Sequence, residues 1–216
     1  MSTFPGTPRL IKGGLVLIDP VSAAVQQVIT LQYNPDTITR TLQVQSVGET
    51  ADRSEALRLK GPPVETISLE AEIDASDQLA AGDSSVSELG VAPQLAALEA
   101  TVYPASSQLQ QINGLAQSGT LEIIPMQAPL MLFVWSKNRV MPVRISDFSI
   151  TEQAFDPALN PIRAKVSLSL RVLSISDLPF NEKGGNLYMI YQQQKEQLVS
   201  RGPGGTLGAL GLGGIP

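Results

Sequence analysis

Three carboxylates occupy alternate positions in the segment VETISLEAEID: Glu70, Glu72 and Asp74. On a strand, side chains two apart share a face and lie roughly 6.5–7 Å from one another. A carboxylate pair at that separation could hydrolyse a glycosidic bond, one group acting as acid and the other as base or nucleophile. A solvated or partner-facing strand is the commoner use of such a row. The surrounding residues supply neither an aromatic platform for a sugar nor an acid of contrasting environment, so the weight falls on that second reading. The following DASDQ lacks the glycine and the distal glutamate of a calcium loop. Arg53, Arg58 and Lys60 could bind an anion, but Glu49, Asp52 and Glu55 stand among them, and a loop of mixed, ion-pairing charge fits better. The glycines between Gly202 and Gly214 follow no strand and spell no dinucleotide-binding or phosphate-cradling motif. Phe133, Trp135 and Phe148 sit in alternating strands, where aromatic residues are usually core.

What is missing narrows the chemistry further. The 216 residues include no histidine and no cysteine. The usual base at neutral pH, the commonest metal ligand, thiol nucleophiles and zinc–thiolate sites are therefore all absent. No catalytic residue, no metal ligand and no cofactor is expected. A net charge of −5 opposes nucleic-acid binding, which calls for a basic footprint. Charged residues make up 16% of the chain, against about 25% in ordinary soluble proteins. Composition alone is equally compatible with a surface partly buried in partners and with a mildly neutral monomer. The longest apolar run, LMLFVW at Leu130–Trp135, is far short of the ~20 residues a membrane helix needs, and the first residues contain no signal-peptide core. A soluble, unsecreted chain without membrane insertion is expected.

The elements that would position these residues are mostly strands. RAKVSLSLRVLSI puts Ala164, Val166, Leu168, Leu170 and Val172 on one face and Arg163, Lys165, Ser167, Ser169 and Arg171 on the other. VETISLEAEID alternates in the same way, with Ile67, Leu69, Ala71 and Ile73 inward. GLVLID and VQQVITLQY read as a hairpin. ITRTLQVQS follows the NPDT turn, with Ile38, Leu42 and Val44 inward and Thr39, Thr41, Gln43 and Gln45 outward. A further hairpin turns at Ser136-Lys137-Asn138. In its second arm Val143 and Ile145 share one phase and Phe148 and Ile150 the other, which predicts a bulge near Asp147. Leu95, Leu98 and Val102 recur at helical spacing, a weaker helix is predicted over Ser106–Gln117, and Leu187, Ile190, Tyr191 and Leu198 predict a helix preceded by the breaker Gly184-Gly185.

These signals predict a mainly β (α+β) fold, an antiparallel barrel or sandwich with a helical insertion at about 92–118 and a C-terminal helix. The domain would span 13–201, with a leader at 1–12, a long polar loop at 47–63 and a glycine-rich tail at 202–216. Leu207, Leu210, Leu212 and Ile215 punctuate that tail. Apolar side chains at such regular intervals would be wasted on a solvated linker, so they are read as docking elements for a neighbour.

Taken in order, GLVLID, ITLQYNPDTITRTL, PPVETISLEAEIDASD, PQLAALEATVYP, the stretch through AFDPALNPIRAKVSLSLRVL, and YQQQKEQL resemble the tube-domain family of contractile injection systems, the phage-tail-like particles of bacteria. The similarity runs from about Gly13 to Leu198. It implies a tail-tube-like β-barrel assembling as a ring, six-fold by resemblance, at the baseplate–tube junction. There it would be a tube-initiation layer linking the spike or hub to the inner tube protein, assembled in the bacterial cytoplasm as part of the particle. In such tubes the region matching loop 47–63 reaches toward the adjacent ring, which makes Glu49, Arg53, Arg58 and Lys60 interface candidates. The main inner tube protein of the same particle is the alternative within this class. A glycan-binding or glycan-cleaving β-domain using Glu70, Glu72 and Asp74 is the alternative outside it.

Overall fold

A computed structural model describes residues 10–46, 58–117 and 128–215. Seven strands form one antiparallel sheet: β1 (Gly14–Ile18), β2 (Val25–Thr30), β3 (Ile38–Gln43), β4 (Val64–Asp74), β5 (Leu130–Ser136), β6 (Arg139–Phe155) and β7 (Pro161–Val172). Their spatial order is β2-β1-β5-β6-β7-β4-β3, so β2 and β3 are the two ends of an open sheet. The mainly antiparallel β architecture follows the sequence pattern. Closure into a barrel is not made by strand pairing among the described residues.

The sheet nevertheless coils over its own core. β6 is the hinge of this coiling. Its first part pairs with β5 and the rest with β7, and the register slips between Ile145 and Asp147, leaving Ser146 as the extra residue. This is the bulge that the phase change predicts, and bulges sharpen strand bend and twist. The Ser146 hydroxyl donates to the main-chain oxygen of Ser169 at 3.0 Å. At the far corner the Gln32 carboxamide, just past β2, donates to the Asp74 carbonyl (2.7 Å) and accepts from the Asp74 N–H (3.0 Å). A side chain thus supplies the pair of bonds a neighbouring strand would make, joining one end of the sheet to β4.

The main core gathers Leu15, Ile67, Leu69, Phe133, Met141, Val143, Val166, Leu168 and Leu170 from five strands. Leu168 is 2% exposed, and the inward residues expected of β4 and β7 are all buried. A second cluster of Ile18, Leu130 and Leu132 lies under Leu173, Leu178 and Leu187. β1 and β5 are therefore covered on both faces, which is why LMLFVW is a continuous apolar run and not an alternating one.

Five helices decorate the sheet: α1 (Ser76–Ala80), α2 (Ser84–Leu89), α3 (Ala92–Glu99), α4 (Ser106–Gln117) and α5 (Lys183–Val199). Leu95 and Leu98 bury α3 in the core, whereas Val102 lies beyond the helix end and is exposed. Two expectations need correction. Gly184 and Gly185 do not break the chain before α5 but form its buried first turn. A Cβ on Gly185 would stand 2.2 Å from the Pro179 carbonyl oxygen, so glycine is what allows the helix to pass that close. The core-facing stripe of α5 is accordingly Gly184, Gly185, Tyr188 and Tyr191, while Ile190 and Leu198 face out. Leu42 on β3 and Val44 just beyond it are exposed: Arg40 and not an apolar residue takes the inward place between Ile38 and Leu42 and turns to a buried acid.

Candidate functional site

The polar face of β4 and β7 is the first candidate, and its geometry follows from register. Asp74 lies opposite Arg163, Glu72 opposite Lys165, and Ser68 opposite Ser169. Cross-strand neighbours on one face sit close enough to pair. The Arg163 guanidinium reaches Asp74 at 2.7 Å, and the Lys165 ammonium bridges Glu70 (3.2 Å) and Glu72 (3.4 Å). Ser68 and Ser169 share a hydrogen bond of 3.2 Å. Hydrogen bonds from Ser76, with Arg163 beside it, hold the Asp74 carboxyl below the ordinary carboxylate range. Glu70 and then Glu72 raise the Lys165 ammonium above its usual value. The three acids thus lie on one face, each matched to a cation from β7. A glycosidase acid needs the opposite of what Asp74 receives, a carboxyl whose pKa is raised so that it can donate a proton. Among the described residues there is no cluster of metal-ligating side chains.

The second feature went unnoticed in the sequence. Glu65 is a charged residue on the inward face of β4, 3% exposed. The Arg40 guanidinium approaches it at 2.7 Å, the Tyr191 hydroxyl donates to it at 2.9 Å, and the Lys195 ammonium lies 3.6 Å away. Arg40 also donates to the Tyr191 oxygen at 3.1 Å, and the Lys195 ammonium sits 4.2 Å above the Tyr191 ring. Burial, then Glu65, pushes the Tyr191 phenol far above its normal pKa, and burial pulls the Lys195 ammonium down. Buried charge is tolerable only when paired and hydrogen-bonded. This knot therefore fastens α5 to β3 and β4. A signal was present: Glu65 has the same parity as Ile67, Leu69 and Ala71, and Arg40 the same parity as Ile38.

The third feature is the pair of sheet ends. Among the described residues β2 and β3 are each paired on one side only. Val25 and Val28 on β2, with Val28 at 57%, and Leu42 on β3 at 51% are exposed apolar side chains. Of the loop candidates, Glu49 and Arg53 fall outside the described residues. Lys60 donates its N–H to the Gln45 carbonyl at 2.9 Å, and Leu59 bridges Ser46, so the base of the 47–63 segment extends the β3–β4 hairpin and places Arg58 and Lys60 at its stem. In the tail, Leu207–Leu210 form a short 3-10 turn. The Thr206 hydroxyl caps it, accepting from the Ala209 N–H, and Gly211 closes it with left-handed backbone. Leu207, Leu210, Leu212 and Ile215 are all exposed.

No protein-family model matches the chain, and no curated protein matches it significantly. Among solved structures, the tail of an empty gene transfer agent (GTA) particle, computed with helical refinement in C6 symmetry, is similar over 74% of this chain and 90% of that one, at 9% identity and a TM-score of 0.30. The virion of a native gene transfer agent particle is similar over 74% of this chain and 95% of that one, at 9% identity and a TM-score of 0.26. Likeness of this order is too slight to carry a fold or a function.

Proposed function

We propose that this protein is a non-enzymatic structural component of a phage-tail-like contractile injection particle. It forms a ring, six-fold by sequence resemblance, at the baseplate–tube junction and links the spike or hub to the inner tube. The observation that carries the reading is the open sheet: both end strands have an unpaired main-chain edge and bear exposed apolar side chains. Exposed edges of this kind invite uncontrolled pairing unless an assembly uses them. In the proposed ring the β2 edge of one protomer pairs with the β3 edge of the next, a head-to-tail contact that closes by rotation and hides both edges. Extension of the coiled sheet across protomers then makes the tube-like barrel wall. The 47–63 loop, through Glu49, Arg53, Arg58 and Lys60, contacts the adjacent ring, and the β4–β7 ladder forms a wet face facing lumen or neighbour. Assembly takes place in the bacterial cytoplasm, with no nucleic-acid or membrane contact by this chain.

Fractionation of particles from a producing strain tests the reading by copy number. The chain is expected to co-purify with sheath and tube in a fixed number per particle, independent of particle length. Copy number rising with length would assign it to the main inner tube. Absence from particles, or glycan hydrolysis by the isolated protein that is lost in Glu70→Gln or Glu72→Gln, would overturn the reading.

A further inference from the structure

Between β2, the last part of β4 and α3 lies a wedge of about 150 Å³, lined by Val28, Ile29, Leu31, Ile73, Ala97 and Leu98 among others. An apolar cavity of this size holds a group about as large as a benzene ring, so one leucine or isoleucine side chain fits it. Its rim offers hydrogen bonds that nothing takes. The Leu31 N–H donates to the carbonyl of Gly13, just before β1, so by the alternation of an antiparallel ladder Val28 and Thr30 turn their main-chain groups to the free side of β2. On β4, pairing with β3 stops at Leu69. Asp74 directs its N–H and carbonyl to Gln32, so Glu72, two residues earlier, points the same way with no strand beside it. The Gln94 Oε1 atom is buried in this region without a partner. The occupant must therefore bring both an apolar side chain and main-chain donors, and its backbone must be slim enough to lie against a sheet edge.

One described segment of this chain has that chemistry. From Gly202 onward the side chains carry no charge, and Leu207, Leu210, Leu212 and Ile215 are interspersed among glycines. It stands clear of the body: around Gly204, Gly205, Gly211, Gly213 and Gly214 no other atom lies within 4 Å of where a Cβ would be. Leu210 is 74% and Ile215 81% exposed. We infer that the tail of one copy docks in the β2–β4–α3 wedge of a second copy, one of its apolar side chains filling the cavity and its main-chain N–H groups meeting Gln94 and the part of β4 around Glu72 that β3 leaves open. The inference deepens the ring reading, because it needs copies held side by side. It supplies a strap between protomers distinct from edge pairing.

The chain has no cysteine, so introduced ones report without background. Full-length chains carrying Leu212→Cys are mixed, under mild oxidation, with differently tagged full-length chains carrying Ala97→Cys, or Thr30→Cys on the wedge rim as a second position. A third partner carries Ser106→Cys on α4 as the control. Light scattering records assembly in parallel. Disulfides between the two tags at Ala97 or Thr30, at least tenfold above Ser106, are expected, and so is their loss when Leu98→Trp fills the wedge of a chain whose melting curve stays cooperative. Assembly without wedge cross-links, or equal yields at Ser106, would overturn the inference and leave the ring reading standing. Wedge cross-links in a species too small to be a ring would support the strap and count against the ring.

Discussion

Tyr191 ties the C-terminal helix to the sheet through a hydroxyl shared between two strands. Its hydroxyl donates to Glu65 and accepts from Arg40, both partly or wholly out of solvent. Removing a hydroxyl that serves a buried charged acceptor costs about 1–3 kcal/mol, so Tyr191→Phe is expected to lower the urea midpoint by that equivalent without altering the fold. Lys165→Met, by contrast, removes an exposed pair and is expected to move stability by less than about 1 kcal/mol. A large loss there would mean that the β4–β7 ladder is structural. Acid behaviour follows from three aspartates. Asp19, Asp74 and Asp156 are each held below the ordinary carboxylate pKa, chiefly by hydrogen bonds from Ser22, Ser76 and Asn160 respectively. A depressed folded-state pKa contributes stability that is present above the unfolded value of about 3.9 and is lost as pH falls through the folded value. The urea midpoint is therefore expected to be level above about pH 5 with respect to these groups and to fall below pH 4, less steeply in Asp74→Asn. The acids of the polar face were legible in the sequence because period-2 patterning assigns faces. Their partners were not, because which cation stands opposite which acid depends on register between segments some ninety residues apart.

At the scale of elements, alternation predicted the faces of β4 and β7 and the bulge in β6, since both are properties of a single strand. Leu168→Asp would put an unpaired carboxylate in the core at a cost of several kcal/mol and is expected to yield insoluble protein; a soluble variant with unchanged melting would mean the faces are reversed. Deleting Ser146 removes the extra residue and leaves plain alternation with Phe148 and Ile150 still inward, so the variant is expected to fold and to lose melting temperature only through the missing bend. Gly185→Ala gives a test of sign. In an open helix this change gains up to about 1 kcal/mol, but here the added methyl would meet the Pro179 carbonyl, so a loss in melting temperature is expected. That contact also explains why the stripe of α5 was misread. The helix docks through two residues without side chains, and an apolar periodicity search cannot register them. α1 and α2 escaped notice because five or six residues are too few for any period to stand out.

At the scale of the molecule, the sheet class was legible and its degree of closure was not, because closure depends on what lies beside β2 and β3, and those neighbours are not in this chain's local pattern. The corner clasp of Gln32 on Asp74 shows how the isolated protomer manages one part of the gap with a side chain. In the ring proposed above, the rest of each edge is covered by pairing between protomers. Low charge, exposed apolar residues at both sheet ends and an uncharged apolar tail all fit a surface meant to be covered. The central claim, that the protein is a ring-forming subunit joined through its sheet edges, is tested most directly by electron-microscopic reconstruction of the assembled species. The expected result is a closed ring in which β2 of each protomer pairs with β3 of the next to continue one sheet around the wall. A monomer at every concentration, or a ring whose contacts leave both β2 and β3 exposed to solvent, would contradict it.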